Sequence, residues 1–244
     1  MRGVALLMAK APVATALISV IVPTLGEAAA LPRALDDLDA LDGRWEVIVA
    51  DGGSTDGTSD LARTHRSRPR VLDAARGRAR QMNAGAGVAR GQALIFLHAH
   101  TRLPPDAYAR ITAALAEGVQ GGNFALRFED DGGLYGRYLT WVYALQRRTG
   151  YYYGDSAIWL RTDAFAALGG YRDLPIMEDR DLVQRLERRG ATACLPGPAV
   201  TSARRWRAWA SAAPWQCGSR SGCSTRSACR EAVAQRGVCP AGLN

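Results

Sequence analysis

Short apolar segments alternate with amphipathic ones along the first half of the chain. Two of them, 17–22 (LISVIV) and 45–50 (WEVIVA), are rich in β-branched residues, which is typical of strands buried on both faces of a parallel sheet. Between them, residues 28–41 carry Leu31, Leu35 and Leu38 at helical spacing, so a helix with one apolar stripe is predicted. The alternation continues with strands predicted at 70–72 and 93–97 and helices at 77–90 and 105–116.

This order of elements predicts an α/β fold with a Rossmann-like, mostly parallel sheet flanked by helices. In such sheets, ligands bind beyond the carboxyl ends of the strands. Polar side chains occupy those places here: Glu27 follows the first strand, Asp51 the second, and His98 and His100 the strand at 93–97. The sequence therefore predicts a ligand site at this edge of the sheet.

The second half of the chain has a weaker periodicity. A strand is predicted at 120–128 and helices at 134–148 and 179–189. Beyond about Trp209, the mixture of Ser, Gly, Cys and Arg follows neither a helical nor a strand period. We therefore divide the chain into an N-terminal extension (1–16), one folded domain (17–207) and an irregular tail (208–244).

Composition narrows the class of protein. Of the 244 residues, 48% are apolar and 22% charged, which excludes a mainly disordered or collagen-like chain. The net charge is +8 and there are five cysteines. Both are unevenly distributed, because the segment from Ser202 onward contains seven arginines, one acidic residue and four of the cysteines. The remainder is nearly neutral and has only Cys194. We therefore expect no nucleic-acid partner, and a reducing, cytoplasmic compartment.

The interpretation of each end of the chain has an alternative. A short apolar stretch after Arg2 is interrupted by Lys10 and Pro12, so a loose extension is favoured over a signal peptide. No apolar run reaches the roughly 18 residues that span a bilayer. The tail reads as if translated in another frame, a hypothesis that the nucleotide sequence of the gene would test.

Six segments, in this order, resemble a known family. They are ISVIVPTLGEAAALPRAL, WEVIVADGGSTDGT, GRARQMNAGA, ALIFLHAHT, GDSAIWLR and IMEDRDLVQRL. Over about 18–206, their order and spacing resemble a bacterial branch of glycosyltransferase family 2. The resemblance implies a GT-A fold over the domain at 17–207, a nucleotide-sugar donor, a divalent metal ion (Mn or Mg) and inversion at the anomeric carbon.

The resemblance assigns one group of residues to the donor. It implies that Asp51 recognises the nucleobase, that the loop after the first strand cradles the nucleoside, and that Arg78 clamps the diphosphate. The residues of this predicted nucleotide-sugar site are Pro23, Thr24, Glu27, Asp51, Gly53, Arg78 and Asn83. The alternatives are an ordinary turn at Asp51 and a solvated basic helix face at Arg78.

The segment at 98–101 is predicted to hold the metal ion. The family branch usually carries His-Ala-Asp-Thr there, whereas this chain has His98, Ala99, His100 and Thr101. Alternate residues of an extended segment point the same way, so His98 and His100 can face one ligand. Losing the carboxylate removes a negative charge, which predicts weaker binding of Mg or Mn. The alternative is a pair of structural histidines.

The catalytic group is predicted at Glu178 and Asp179. By resemblance they form an acidic pair in which Asp179 accepts the proton of the acceptor hydroxyl. The alternative is helix capping by Asp179. The resemblance further places Asp155 on the acceptor side and Arg205 and Trp206 against the diphosphate.

Aromatic residues near Asp155 are candidates for stacking on a sugar or a lipid. They are Tyr151, Tyr152, Tyr153 and Trp159. Since aromatic side chains are more often part of the core, packing is the alternative.

These expectations combine into one function. We expect an inverting transferase that moves a sugar from a UDP- or GDP-linked donor to a hydroxyl or carboxyl acceptor of lipid-like character, with peripheral contact at the inner face of the cell membrane. A catalytically weak sugar-nucleotide binding protein and a nucleotidyltransferase are the alternatives.

Overall fold

One mixed sheet of eight strands organises the part of the chain that the computed structural model describes, residues 16–129 and 134–202. The strands are β1 (Ile18–Thr24), β2 (Trp45–Asp51), β3 (Arg70–Asp73), β4 (Ala93–Phe96), β5 (Thr101–Arg102), β6 (Gly121–Glu129), β7 (Ile158–Arg161) and β8 (Thr192–Ser202). Across the sheet they follow the order β3-β2-β1-β4-β7-β6-β8-β5. The first four strands are parallel, whereas β7 and β5 run antiparallel to their neighbours.

Seven helices accompany these strands in the described residues. They are α1 (Leu31–Asp39), α2 (Thr58–Thr64), α3 (Arg78–Val88), α4 (Ala107–Ala116), α5 (Leu134–Arg148), α6 (Thr162–Ala167) and α7 (Glu178–Glu187). A single 3-10 turn, Gly154–Ser156, precedes β7. The predicted α/β class with a mostly parallel sheet is confirmed. Strands β5, β7 and β8 and helix α6 were not predicted. For β8 the reason is that its segment, TACLPGPAVTS, holds two prolines and a glycine, which obscure any strand period.

The register of the sheet brings distant segments to one edge. Parallel pairing of β1 and β2 ends with Thr24 opposite Asp51. Antiparallel pairing of β4 and β7 puts Phe96 opposite Ile158, so β7 begins where β4 ends. The 3-10 turn before β7 therefore lies at the carboxyl ends of the parallel strands, next to the residues that follow β4.

Two apolar cores cover the faces of the sheet. Ile18, Val20 and Val22 of β1 face one core, and Ile21 faces the other. Helix α3 approaches the sheet closely, since a Cβ on Gly85 would lie 2.5 Å from Cγ2 of Ile21. The small residues of this helix thus allow its backbone to lie against the sheet.

A buried carboxylate joins the strands at the opposite, amino-terminal edge. Glu46 accepts hydrogen bonds from the Ser19 hydroxyl (2.6 Å), the Arg90 backbone N–H (2.8 Å) and the Arg90 side chain (2.8 Å). Burial alone would raise the pKa of Glu46, but these hydrogen bonds outweigh burial and lower it. The ionised form therefore ties β1 and β2 to the segment that enters β4.

Replacing Glu46 by Gln is expected to destabilise the fold by about 1–3 kcal/mol, because one donor loses its acceptor in a buried place. Since the pKa of Glu46 is lowered in the folded state, this stabilisation is present above the unfolded-state pKa and disappears as the pH falls through the folded-state pKa. Urea unfolding at several pH values measures it, with exposed Glu117→Gln as the control. Equal stability of the two variants at neutral pH would contradict the assignment.

Candidate active site

Asp51 organises the loop after β2. Its buried carboxylate accepts hydrogen bonds from the Thr24 hydroxyl (2.9 Å) and from the backbone N–H groups of Gly53 (3.1 Å) and Ser54 (2.8 Å), and the Ser54 hydroxyl donates to it as well. Burial alone would raise the pKa of Asp51, but the hydrogen bonds outweigh burial, and the pKa is lowered overall. The carboxyl group is therefore ionised at neutral pH. Each carboxylate oxygen already accepts two hydrogen bonds, so a nucleobase N–H would have to displace one of them. The predicted turn role is present in the structure, and base recognition stays a prediction.

The loop after β1 is fastened to the loop after β2. The backbone N–H groups of Gly26, Glu27 and Ala28 donate in turn to the side chains of Ser54, Thr58 and Asp56, at 2.9, 2.9 and 3.0 Å. The predicted nucleoside-binding residues Pro23, Thr24, Glu27 and Gly53 therefore belong to one bonded unit around Asp51.

Gln81 is a site-forming residue that sequence reasoning missed. Its buried amide donates to the carbonyl oxygens of Thr24 (2.5 Å) and Ala50 (3.0 Å), which are the ends of β1 and β2. It thereby fixes the spacing of the two strands where the loops leave the sheet. No pattern in the sequence singles out Gln81, because helix α3 also carries Asn83 and two arginines among its small residues.

Arg78 and Glu178 form an ion pair between the first residues of α3 and α7. Arg78 Nη1 lies 3.1 Å from Glu178 Oε1, and the Glu178 side chain is only 6% exposed whereas that of Arg78 is 43% exposed. A buried carboxylate needs such a partner, so Glu178 serves here to join the two helix starts. Arg78 keeps an exposed flank that also lines the central pocket described below.

Asn83 acts as an anchor in this structure. Its amide nitrogen donates to the Tyr171 carbonyl (2.8 Å), and its oxygen accepts from the Tyr171 N–H (2.9 Å). Both ends of the side chain are thus used to hold α3 to the segment before α7. Its predicted contact with the nucleotide sugar stays a prediction.

Asp179 lies in a small pocket at the carboxyl edge of the sheet. The Gly154 N–H donates to Asp179 Oδ2 at 2.8 Å, and the Arg180 N–H donates to Oδ1 at 2.7 Å. Burial, reinforced by neighbouring Glu178, raises the pKa of Asp179 despite these bonds. Pro23, Arg78 and His98 line the same pocket. Helix α7 begins after Met177, so Asp179 is not its N-cap residue, although it is one of three acidic residues in the first turn of the helix.

Gly154 separates Asp179 from His98. A Cβ on Gly154 would lie 2.6 Å from His98 Nε2 and 3.6 Å from Asp179 Oδ2. Only a residue without a side chain fits between an imidazole and a carboxylate at this distance. The glycine therefore allows the two groups to face the same small volume.

His98 and His100 point the same way, as predicted. Their rings are nearly parallel, at 16°, with centroids 5.4 Å apart, and His100 Nε2 lies 3.5 Å from Asp155 Oδ1. Within residues 16–129 and 134–202, however, no three His, Cys, Asp or Glu side chains are grouped so as to hold a metal ion. The two imidazoles and the Asp155 carboxylate do not form a ready three-ligand site, and metal binding stays a prediction.

The aromatic candidates have separate environments. Trp159 is fully buried in the core, so its predicted stacking on a sugar or lipid is wrong. Tyr152 is buried with the Arg147 guanidinium over its ring, and Arg180 covers one face of Tyr151. The predicted diphosphate contacts, Arg205 and Trp206, lie outside the described residues.

Comparison with known proteins identifies the family. A family model described as Glycosyl transferase family 2 matches residues 19–170, which is more than half of the chain. A PGL/p-HBAD biosynthesis glycosyltransferase of Mycobacterium bovis is 37% identical over 111 residues, 43% of either protein. An undecaprenyl-phosphate 4-deoxy-4-formamido-L-arabinose transferase of Aeromonas hydrophila is 31% identical over 112 residues, 42% of this chain and 34% of that protein. The chain thus matches less than half the length of these curated relatives.

A solved structure shows the same fold. The mannosyltransferase of Pyrobaculum calidifontis in complex with GDP-Man and Mn2+ superposes with a TM-score of 0.63 at 24% identity, covering 79% of this chain and 59% of that one. The predicted GT-A fold is confirmed by this likeness.

Replacing Asn83 by Ala is expected to destabilise the fold by about 1–2 kcal/mol, because two hydrogen bonds to Tyr171 are lost. Nucleotide affinity should stay within about twofold if the side chain is only an anchor. Thermal unfolding and nucleotide titration measure the two effects, with exposed Gln92→Ala as the control. A stable variant with weakened nucleotide binding would instead place Asn83 in the donor site.

Proposed function

This chain belongs to glycosyltransferase family 2, and on that premise we propose that it transfers a sugar from a nucleotide-sugar donor to a hydroxyl or carboxyl acceptor with inversion at the anomeric carbon. The observation that carries the proposal is the position of Asp179, a carboxylate of raised pKa held by Gly154 beside His98 and Arg78. A proton acceptor at the edge where α/β sheets bind their ligands suits this reaction.

The donor nucleoside binds, in this proposal, against the unit formed by the loops after β1 and β2. Its supporting contacts are the bonds between Thr24 and Asp51 and between Glu27 and Thr58, which hold the two loops together before any ligand arrives. Preorganised loops lose little freedom on binding. The solved structural neighbour holds GDP-Man, which supports a nucleotide-linked sugar and leaves UDP and GDP to be distinguished by titration.

The chemical step needs a base that accepts the proton of the acceptor and a cation that stabilises the negative charge of the leaving diphosphate. The acceptor oxygen forms a bond to the anomeric carbon as its proton passes to Asp179, and the bond between that carbon and the nucleoside diphosphate breaks on the opposite face. The diphosphate leaves with an added negative charge, and Arg78, whose exposed flank lines the pocket, is the cation that would stabilise this charge.

Divalent metal use is a separate part of the proposal. The structural neighbour contains Mn2+, whereas His98, His100 and Asp155 do not group as three metal ligands among the residues that the structure describes. We therefore assign no step to a metal ion and treat dependence on Mn or Mg as a property to be measured.

A sugar-nucleotide binding protein with little catalysis is the second candidate. It is favoured by His100, which stands where the His-Ala-Asp-Thr motif of the family branch has its aspartate. His100 Nε2 lies 3.5 Å from Asp155 Oδ1. Saturable nucleotide binding without turnover on any acceptor would support this candidate.

The cellular setting is proposed as cytoplasmic with peripheral contact at the membrane. In the described part of the chain, no helix is long and apolar enough to cross a bilayer. One curated relative is named for a lipid-phosphate substrate, which supports a lipid-like acceptor.

Replacing Asp179 by Asn is expected to lower kcat about a hundredfold to ten-thousandfold, because the variant cannot accept the proton. Since the pKa of Asp179 is raised and the base must be ionised, the wild-type rate should fall with decreasing pH at values above the ordinary aspartate range, and this limb should vanish in the variant. Steady-state rates against pH measure both effects. Asp173→Asn, an exposed carboxylate outside the pocket, is the control, and full activity of Asp179→Asn would disprove the base assignment.

Replacing His100 by Asp is expected to lower the concentration of Mn2+ or Mg2+ that gives half-maximal rate, because carboxylate oxygen suits these ions better than imidazole does. Rates measured over a metal titration, after removal of bound metal with a chelator, test it. His65→Gln, remote from the pocket and beside Asp36, is the matched control. An unchanged metal dependence would show that His100 is not at the metal.

A further inference from the structure

A second cavity, of about 510 Å³, lies beside the site just described. It is formed by strands β5, β6 and β8 together with helix α5, and none of the predicted site residues lines it. We refer to it as the arginine groove, after its lining residues Arg102, Arg127 and Arg137.

The sheet register brings two of these arginines together. Arg127 of β6 pairs with Val200 of β8, and Val200 pairs in turn with Arg102 of β5. Residues directly paired on neighbouring strands point to the same face, so both guanidinium groups project from one row across three strands. Arg102 also forms an ion pair with Glu129 at 2.6 Å.

The described residues that line the groove carry an excess of positive charge. Three arginines and one carboxylate, Glu129, are the charged groups among the described residues that line it. Within the described ranges, neither Arg127 nor Arg137 takes part in an ion pair. Guanidinium groups bind phosphate and carboxylate through paired hydrogen bonds, so charge complementarity favours an anionic occupant.

An apolar surface continues from the groove along α5. Trp141 lines the groove and is 62% exposed, and Tyr138 and Leu145, 58% and 48% exposed, lie three and four residues away on the same helical stripe. Exposed aromatic side chains beside cations fit a ligand with an apolar body and a charged head. The groove and this stripe together match an amphiphilic anion.

The groove also adjoins the proposed transfer site. Arg102 comes two residues after His100, and β5 is the segment that leads directly from the histidine pair to the groove. We propose that the arginine groove binds the anionic end of the acceptor, an amphiphile that carries a phosphate or carboxylate head and an apolar chain in addition to the hydroxyl or carboxyl group that receives the sugar. Its role as an acceptor site rests on the proposed sugar transfer, whereas its affinity for such an amphiphile can be measured without that reaction.

The test uses the full chain and decyl phosphate below its micelle-forming concentration, with calorimetric titration as the readout. Decyl phosphate should bind saturably, and inorganic phosphate at least about tenfold more weakly, because it lacks the apolar chain. Arg127→Gln/Arg137→Gln should weaken decyl phosphate binding at least about tenfold, since two charged hydrogen-bond donors are lost. Trp141→Ala should weaken decyl phosphate more than it weakens inorganic phosphate.

Arg148→Gln is the matched control, because Arg148 is exposed on the same helix and does not line the groove. Equal losses in this control and in the double variant would overturn the proposal, since the effect would then be one of net charge. Unchanged binding in the double variant would overturn it too. Binding to vesicles of anionic lipid without binding to decyl phosphate would make the surface a membrane contact and also overturn it.

Nucleotide titration separates this proposal from the transfer reaction. The double variant should bind the nucleotide sugar as the wild type does, because the groove lies outside the loops after β1 and β2. Groove binding in a protein that fails to bind nucleotide sugars would support the groove and reject the proposed transfer. Normal nucleotide binding with no effect of the double variant on decyl phosphate would reject the groove without contradicting the proposed transfer.

Discussion

The pairing register of β4 with its two neighbours is the constraint on which the site depends. Parallel pairing with β1 sets the histidine segment beside the loop after β1, and antiparallel pairing with β7 returns the chain to the same edge at Gly154. A shift of one residue in either ladder would turn every side chain of the strand to the opposite face. The approach of Gly154 to both His98 and Asp179 is therefore a consequence of strand register.

The two acidic side chains of the site, Glu178 and Asp179, are stabilised by different partners. Glu178 is buried against Arg78, whereas adjacent Asp179 accepts hydrogen bonds from two backbone N–H groups and has a raised pKa. Two neighbouring carboxylates thus differ in their partners, because Glu178 forms an ion pair with Arg78 whereas the hydrogen bonds of Asp179 come from backbone N–H groups. This division suits a structural role for Glu178 and a proton-accepting role for Asp179.

Local patterns carried most of the fold prediction. Strands β1 to β4 were predicted within two residues, because their apolar segments are well marked, and the bounds of helix α5 were predicted to the residue. Strand β8 escaped prediction because its identity depends on pairing with β6 over eight residue pairs, which its own composition does not reveal. Gln81 escaped for a similar reason, since its hydrogen-bond partners are 31 and 57 residues away in the chain.

The sequence alone was enough to establish the family, the α/β class and the residues that follow the parallel strands, because these depend on motifs and on spacing along the chain. Tertiary structure decided which of those residues meet. It buried Trp159, used both ends of Asn83 on Tyr171, paired Glu178 with Arg78, and aligned Arg102 with Arg127 across β8. The physical reason is that burial, ion pairing and strand register depend on distances between segments far apart in the chain.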